Sequence, residues 1–337
     1  RIAVILNRVD SCIILGDLLL RDGLLDVTVM HSRMAAGHRG RISEELETLA
    51  GKNSTTPGCV VVGTQVIEAS LDLDFDFMVT ELAPAASLIQ RAGRLWRAST
   101  PVDGDWRRHP RPRPTARPKL TVLAMMGPDG AVSEALALPY TLGSLTRTYG
   151  SLPKVLRVPE DVQHLVDRAH FDLRDGVSSD SVEHTREMAR ALAVKDVVIG
   201  ARSSGLLGPD LAYADLARLT QPDPVAESAT RFSDYEQLSV LVVDETARSN
   251  WAFRGDHDAE GALATRRPRE VSLLLAKTIR VAADKVGPGQ PLEPIYTAEE
   301  LAERTIFAAS ELRDVIPVRL NRGIASYDEV LGLRMGR

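Results

Sequence analysis

The sequence predicts an α/β protein: a parallel sheet over residues 1–127, a helical extension and linker over 128–230, and a small α+β domain over 231–337. Three observations predict it. Short apolar, β-branched runs such as Ile2–Leu6 and Val60–Val62 have the composition of strands buried on both faces. Amphipathic segments of helix length separate them, and strands alternating with helices build a doubly wound parallel sheet. Beyond residue 127 the alternation gives way to helical segments, and it returns only in short strand-like runs after 231.

In order, Ile2–Leu6 is a buried strand ended by Asn7, and a helix is expected over Ser11–Arg21 with Gly23 closing it. Val27–Met30 is a second strand, followed by His31-Ser32-Arg33. A charged amphipathic helix covers Arg39–Leu49, and Gly51–Gly58 leads into the strand at Val60. Phe77–Leu82 is a further strand. The segment after it opens at Pro84 and runs as a helix through Gln90-Arg91-Ala92-Gly93-Arg94-Leu95-Trp96-Arg97. Leu120–Met126 closes the sheet. Pro139–Phe171 and Val177–Ala201 read as helical, and Gly205–Pro224 as loop. In the last domain, strands are expected at Ser239–Val243 and Val315–Leu320, and a helix over Ser272–Val286. Thr297-Ala298-Glu299-Glu300 has the form of a capping box opening a helix to Leu312.

Composition sets limits. With 337 residues, 44% of them hydrophobic and 26% charged, the chain can bury real cores in roughly two domains. Its net charge of -5 excludes a general polycation, so any nucleic-acid binding must come from local patches. No apolar run reaches membrane-spanning length, and no membrane partner is expected. Cys12 and Cys59 lie beside apolar runs without Cys-x-x-Cys spacing. They are expected to pack as small hydrophobes in a reducing, cytoplasmic compartment, and no metal site is expected on this chain. His257-Asp258 stands alone, without the further ligands a metal site needs.

The chemistry concentrates between Val60 and Lys119. The strand Val60–Val62 ends at Gly63 and delivers Thr64 where open α/β sheets place ligands. An acidic, apolar run, Glu68 to Asp76, follows. Arg91, Arg94 and Arg97 are three apart, and guanidiniums held at a sheet edge suit phosphate oxygens because each offers a planar fork of donors and keeps its charge. From Arg91 to Lys119 nine basic residues face two acids, in a proline-rich stretch that includes Arg107, Arg108, Arg111 and Arg113. Such a stretch is either a solvated linker or a loop that touches phosphates without reading sequence.

Gly63–Asp72 (GTQVIEASLD) and Gln90–Arg97 (QRAGRLWR) resemble motifs V and VI of superfamily 2 helicases. Gln90 in place of histidine argues against the DEAD-box RNA helicases. The run Glu68–Asp76 with Thr80-Glu81-Leu82-Ala83-Pro84 is similar to the CRISPR-associated helicase–nuclease of type I systems, and Pro139–Phe171 extends the similarity. The resemblance implies that residues 1–127 form the second RecA-like domain of a motor that moves on single-stranded DNA at a surveillance complex carrying guide RNA. It implies that Arg94 and Arg97 act as arginine fingers, that Gln90 positions water or couples the domains, and that Asp72 contacts the nucleotide ribose. It places Thr64, His31-Ser32-Arg33 and Arg39 against nucleic acid; the basic loop at Arg107, Arg108 and Arg111 is expected there from its charge alone, if it is not a solvated linker. Glu68 and Asp74 are left as structural or coupling residues.

A phosphate-binding loop of the form G-x-x-x-x-G-K-[ST] does not occur in these residues; Gly51-Lys52-Asn53 is the nearest approach. ATP and Mg2+ are therefore expected mainly on a first RecA-like domain outside this chain. Two other readings stay open: a fragment of another superfamily 2 DNA or RNA helicase, and a non-enzymatic nucleic-acid-binding module. Replacing Arg107, Arg108, Arg111 and Arg113 by alanine is expected to weaken single-stranded DNA binding. The slope of log affinity against log salt should fall by about 0.7 for each phosphate that the variant no longer neutralises. An unchanged slope in a salt titration would leave only the solvated linker.

Overall fold

The computed structural model describes residues 1–97 apart from 24–25, 52–53, 55, 57 and 69–70, and 117–169 apart from 134–136, 138 and 141. It also describes 237–244, 268–296, 312 and 315–336. The basic loop at Arg107, Arg108, Arg111 and Arg113, the helices expected at Val177–Ala201 and after Thr297, and His257-Asp258 lie outside the described residues.

The chain divides into two compact units. One holds Arg1–Glu81, Arg91–Val122 and Tyr235–Arg337; the other holds Leu82–Gln90 and Leu123–Asp234. In the first, β1 (Ile2–Ile5), β2 (Val27–Met30), β3 (Val60–Gly63), β4 (Phe77–Glu81) and β5 (Lys119–Leu123) form a sheet of order β2-β3-β1-β4-β5. β1 pairs in parallel with β3 and β4, and β2 with β3, as all-apolar runs require when both faces are covered. Ala3, Ile5, Val61, Val62 and Met78 are almost wholly buried in it. Helix α1 (Val9–Asp22) turns Cys12, Ile13 and Gly16 inward, and α2 (Ala36–Ala50) turns His38, Ile42, Leu46 and Ala50 inward, the last four at a spacing of four residues. Both cysteines are buried, and neither forms a disulfide. Connections leave β1 toward β2 on one side and β4 toward β5 on the other, so the strand order reverses between β1 and β4. Ligands of open α/β sheets bind at that reversal, beyond the strands' carboxyl ends.

Helix α3 (Ala85–Ala92) contains the junction between the two units. In the second unit, α4 (Leu142–Ser151) and α5 (Val162–Ala169) stand where a helical stretch was expected. Ala85 packs with Leu165 and Ala169, and its N–H donates to Thr148 Oγ1 at 3.2 Å.

The C-terminal residues add a second sheet to the first unit. β6 (Gln237–Val242), β7 (Thr278–Ala282), β8 (Leu292–Pro294) and β9 (Val315–Leu320) pair in the order β7-β6-β9-β8, with α6 (Pro268–Leu275) before β7. A hairpin of β10 (Ala325–Asp328) and β11 (Gly332–Met335) ends the chain's described part. The strand at Val315–Leu320 falls where the sequence put it. The helix expected over Ser272–Val286 does not form: α6 stops at Leu275, and Thr278–Ala282 alternates outward and inward as a strand, with Ile279 and Val281 buried against β6.

One glycine is fixed by space. A Cβ at Gly63 would lie 2.2 Å from Ile67 Cδ1 and 2.7 Å from the Met30 carbonyl oxygen. The side chain could swing away; the neighbouring strand's backbone could not. Gly63→Ala is therefore expected to cost about 1–3 kcal/mol of stability, read from urea unfolding. A loss well under 1 kcal/mol would mean that the turn after β3 is looser than this packing requires.

Candidate nucleotide and nucleic-acid site

The carboxyl ends of β1, β3 and β4 are tied to one another. The Asn7 N–H donates to Glu81 Oε2 at 2.5 Å, and Gln65 Nε2 donates to the Asn7 carbonyl at 3.3 Å. The first of these bonds crosses the reversal point between β1 and β4; the second joins β3 to β1.

Arg91 is the centre of the arrangement. Its side chain has no exposed surface and its guanidinium is satisfied from three directions. Nε and Nη2 meet Glu68 Oε1 at 2.8 and 2.6 Å, and Nη1 reaches Thr80 Oγ1 at 2.5 Å and the Glu81 carbonyl at 3.1 Å. Glu68 is itself buried, with 8% of its side chain exposed. Glu68, expected as a structural or coupling residue, neutralises the buried Arg91 charge.

The arginine helix ends earlier than the sequence suggested. α3 stops at Ala92, and the chain turns through Gly93 and Arg94 to pair with Phe75. The Phe75 N–H donates to the Arg94 carbonyl and the Trp96 N–H to the Phe75 carbonyl, both at 3.0 Å. Trp96 takes a left-handed φ of 52° and buries its ring, donating Nε1–H to the Asp76 carbonyl at 3.2 Å. The three arginines consequently do not line one helix. Arg91 is held at the carboxyl end of β4, whereas Arg94 and Arg97 stand beside the segment that leads into β4.

Arg94 is partly buried, and its Nη2 donates to the Glu68 carbonyl at 2.8 Å. Burial, then the neighbouring Arg97, lowers its pKa, against the pull of Asp72 and Glu68. Arg97 Nε meets Asp72 Oδ1 at 2.5 Å, with 46% and 56% of the two side chains exposed. An ion pair that open contributes at most about 1 kcal/mol, so both groups remain available to a ligand. Gln90 is exposed on α3. Thr64 is 2% exposed; its N–H donates to the Met30 carbonyl at 3.2 Å and its own carbonyl accepts from Ile67. Asp74 is buried, with its N–H on the Ala50 carbonyl.

His31 and Arg39 point inward. His31 is fully buried, its Nε2 bonds to the Leu331 carbonyl at 2.9 Å, and burial pushes its pKa down to about 4. A neutral ring is the result, with Nε2–H as donor, and it presents no exposed surface to nucleic acid. Arg39 Nη1 donates to the Ser32 carbonyl at 3.0 Å and to the Met34 carbonyl, which holds the loop after β2. Arg33, of the same tripeptide as His31, grips Asp10 Oδ1 and Oδ2 with Nη1 and Nη2 at 2.5 and 3.2 Å, a pairing that the sequence did not suggest.

Among the described residues, no group of three or more His, Cys, Asp or Glu side chains could hold a metal ion, and no helix is long and apolar enough to cross a membrane. The donor set of Arg94, Arg97 and Asp72 suits phosphate and ribose rather than a cation.

Residues 1–100 match the family model described as CRISPR-associated nuclease/helicase Cas3, C-terminal. The chain is 34% identical over 145 residues to a CRISPR-associated nuclease/helicase Cas3 of Streptococcus thermophilus, a stretch covering 43% of this chain and 15% of that protein. It is 43% identical over 104 residues to a CRISPR-associated endonuclease/helicase Cas3 of Thermus thermophilus, covering 30% of this chain and 10% of that protein. A crystal structure of T. fusca Cas3 with ATP covers 99% of this chain at 25% identity and a TM-score of 0.59, and the match covers 38% of that chain. A chain in a CRISPR RNA-guided surveillance complex before nicking matches at 25% identity and a TM-score of 0.60, over 99% of this chain and 40% of the other. The present chain thus spans well under two thirds of the relatives it matches. Residues 1–100, which include both motifs, are thus similar to the C-terminal region of Cas3.

Removing the carboxylate at Glu68 should expose how much depends on it. Glu68→Ala leaves Arg91 charged, buried and short of its counterion, and is expected to cost about 3–5 kcal/mol in chemical denaturation. A cost below about 1 kcal/mol would show that Arg91 finds equal partners without it.

Proposed function

We propose that this chain, whose first hundred residues match the C-terminal region of Cas3, supplies the arginine-finger half of an ATP-driven motor that translocates on single-stranded DNA in CRISPR interference. The observation that carries the proposal is the graded burial of the three arginines. Arg91 is locked to Glu68, Arg94 is half-buried on the Glu68 carbonyl, and Arg97 is open and paired with exposed Asp72. A buried anchor three residues from a half-buried guanidinium and six from an open one pre-orients both, which is what electrostatic stabilisation of a transferring phosphoryl group requires.

In this reading ATP and Mg2+ are held mainly by a first RecA-like domain, and ATP supplies the phosphoryl group whose transfer drives movement. Arg94 and Arg97 stabilise charge developing on the γ-phosphate, Asp72 meets the ribose, and Gln90 positions the attacking water or couples the two domains. Thr64, Arg39 and the basic loop serve the DNA side. The partner is a surveillance complex carrying guide RNA, and the setting is the cytoplasm. The similar T. fusca Cas3–ATP structure and the similar chain in a CRISPR RNA-guided surveillance complex support the nucleotide and the partner.

The test joins this chain to a first RecA-like domain and measures steady-state ATPase with and without single-stranded DNA. Arg94→Ala and Arg97→Ala are each expected to lower kcat on the order of 10³-fold with DNA affinity by anisotropy nearly unchanged. Lysine should rescue poorly, because a point charge does not reproduce the planar fork. Thr64→Val keeps the packed shape and removes only the hydroxyl, so the DNA concentration for half-maximal stimulation should rise about fivefold with basal hydrolysis intact. The chain alone should hydrolyse no ATP. Robust hydrolysis by the chain alone, or one shared profile for Arg97→Ala and Thr64→Val, would overturn the proposal.

A further inference from the structure

Helix α2 starts without a local cap. The residue before it, Ala35, carries no side-chain oxygen to accept from the first turn, and the residue three further on is His38 rather than Glu or Gln. A helix nevertheless leaves its first four N–H groups without intrahelical partners. A capping box would satisfy two of the N–H groups at this end from within the helix. Here both bonds come from the far end of the chain. The Ala35 N–H donates to Tyr327 Oη at 3.0 Å, and the Gly37 N–H donates to the Ala276 carbonyl at 2.6 Å. Tyr327 Oη also lies 3.2 Å from His38 Nδ1, within hydrogen-bond distance.

The C-terminal hairpin that carries Tyr327 also grips the loop between β2 and α2. The Leu333 N–H donates to the Arg33 carbonyl at 3.0 Å, and the Leu331 carbonyl accepts from His31 Nε2–H at 2.9 Å. Between them Gly332 takes a φ of 66°, and a Cβ there would lie 2.8 Å from both His31 Cε1 and Met34 Cγ. Only glycine allows this approach. Arg33, in the middle of the gripped loop, in turn holds Asp10 at the start of α1 through two bonds. The hairpin therefore reaches the carboxyl ends of both β2 and β1 through one loop.

We propose that the β10–β11 hairpin is a positioning element: Tyr327 completes the N-terminal cap of α2 in place of a local capping residue, and the hairpin thereby fixes residues 31–35 at the ligand-binding end of the sheet. Its consequence for DNA rests on the motor reading above; the cap itself does not. Displacing the hairpin, as a partner binding to the C-terminal segment could do, frees the loop and the start of α1 together.

The experiment uses Tyr327→Phe, which keeps the ring and removes the hydroxyl. In the full chain, amide hydrogen exchange over residues 31–39 is expected to quicken about five- to tenfold, with β1 and β3 unchanged. Adding His38→Gln to Tyr327→Phe places a side-chain carbonyl three residues after Ala35, where it reaches back to the Ala35 N–H as in a capping box, and exchange should slow again. A merely space-filling tyrosine predicts no such rescue. Unchanged exchange in Tyr327→Phe, or faster exchange that His38→Gln does not reverse, would overturn the cap. In the chain joined to a first RecA-like domain, Tyr327→Phe should raise the DNA concentration for half-maximal ATPase several-fold while the maximal rate holds. Faster exchange with an unchanged DNA response would overturn the positioning role. An unsubstituted motor without DNA-stimulated hydrolysis would overturn the motor reading alone, and the exchange data would still decide the cap.

Discussion

The pairing of Arg91 with Glu68 is the constraint from which the geometry of the candidate site follows. A guanidinium without exposed surface is tolerable only when every face of it is bonded, because an unpaired buried charge costs several kcal/mol. Meeting that demand takes the Glu68 carboxylate from the turn after β3, and the Thr80 hydroxyl and Glu81 carbonyl from the end of β4. Two segments distant in sequence are thus locked at one point. The next arginine inherits the arrangement, since Arg94 bonds to the carbonyl of the same Glu68. Arg97, one further step along, is the first of the three left open.

The parallel sheet was readable because its strands carry their burial in their composition. Val60–Val62 has no polar residue to spare for solvent, and a run of that kind fits only a covered strand. The end of α3 was not readable in the same way. Nothing local forbids a helix through Leu95, but Phe75 offers its backbone as a partner, and the chain leaves the helix to take those bonds. A period-2 strand was likewise hidden at Thr278–Ala282. Its short alternation follows helical residues directly, and β6 supplies the pairing that decides between the two.

Polar residues were the harder cases. The resemblance set His31 against nucleic acid, and its burial is made possible by a carbonyl 300 positions away. No periodicity encodes that distance. Arg39, set there by the same resemblance, braces the loop before its own helix. For the basic stretch from Arg107 to Arg113, the charge count remains the only guide, since these residues lie outside the described part. The motifs raised the expectation that Asp72 and Arg97 contact nucleotide, and their mutual ion pair is a feature that the motifs alone did not suggest.

The start of α2 shows how an omission in sequence can point to a long-range contact. Ala35-Ala36-Gly37-His38 is a poor helix start by local rules: Ala35 offers no side-chain oxygen, and glycine occupies the first turn. The N–H groups there still need acceptors, because burial without them costs about as much as a missing hydrogen bond each. A well-packed helix with an empty cap therefore implies that some other segment brings oxygen atoms to it. Those atoms come from the C-terminal part of the chain, through Tyr327 and Ala276. The consequence runs in both directions. Helix α2 takes an acceptor at its N-terminus from the hairpin, and the hairpin, a two-stranded pair too small to be stable by itself, buries Leu331 in the core of the parallel sheet and Leu333 in a cluster that includes Ala35 and the second sheet. The C-terminal strands accordingly share a compact unit with the sheet despite the long stretch of chain that separates them.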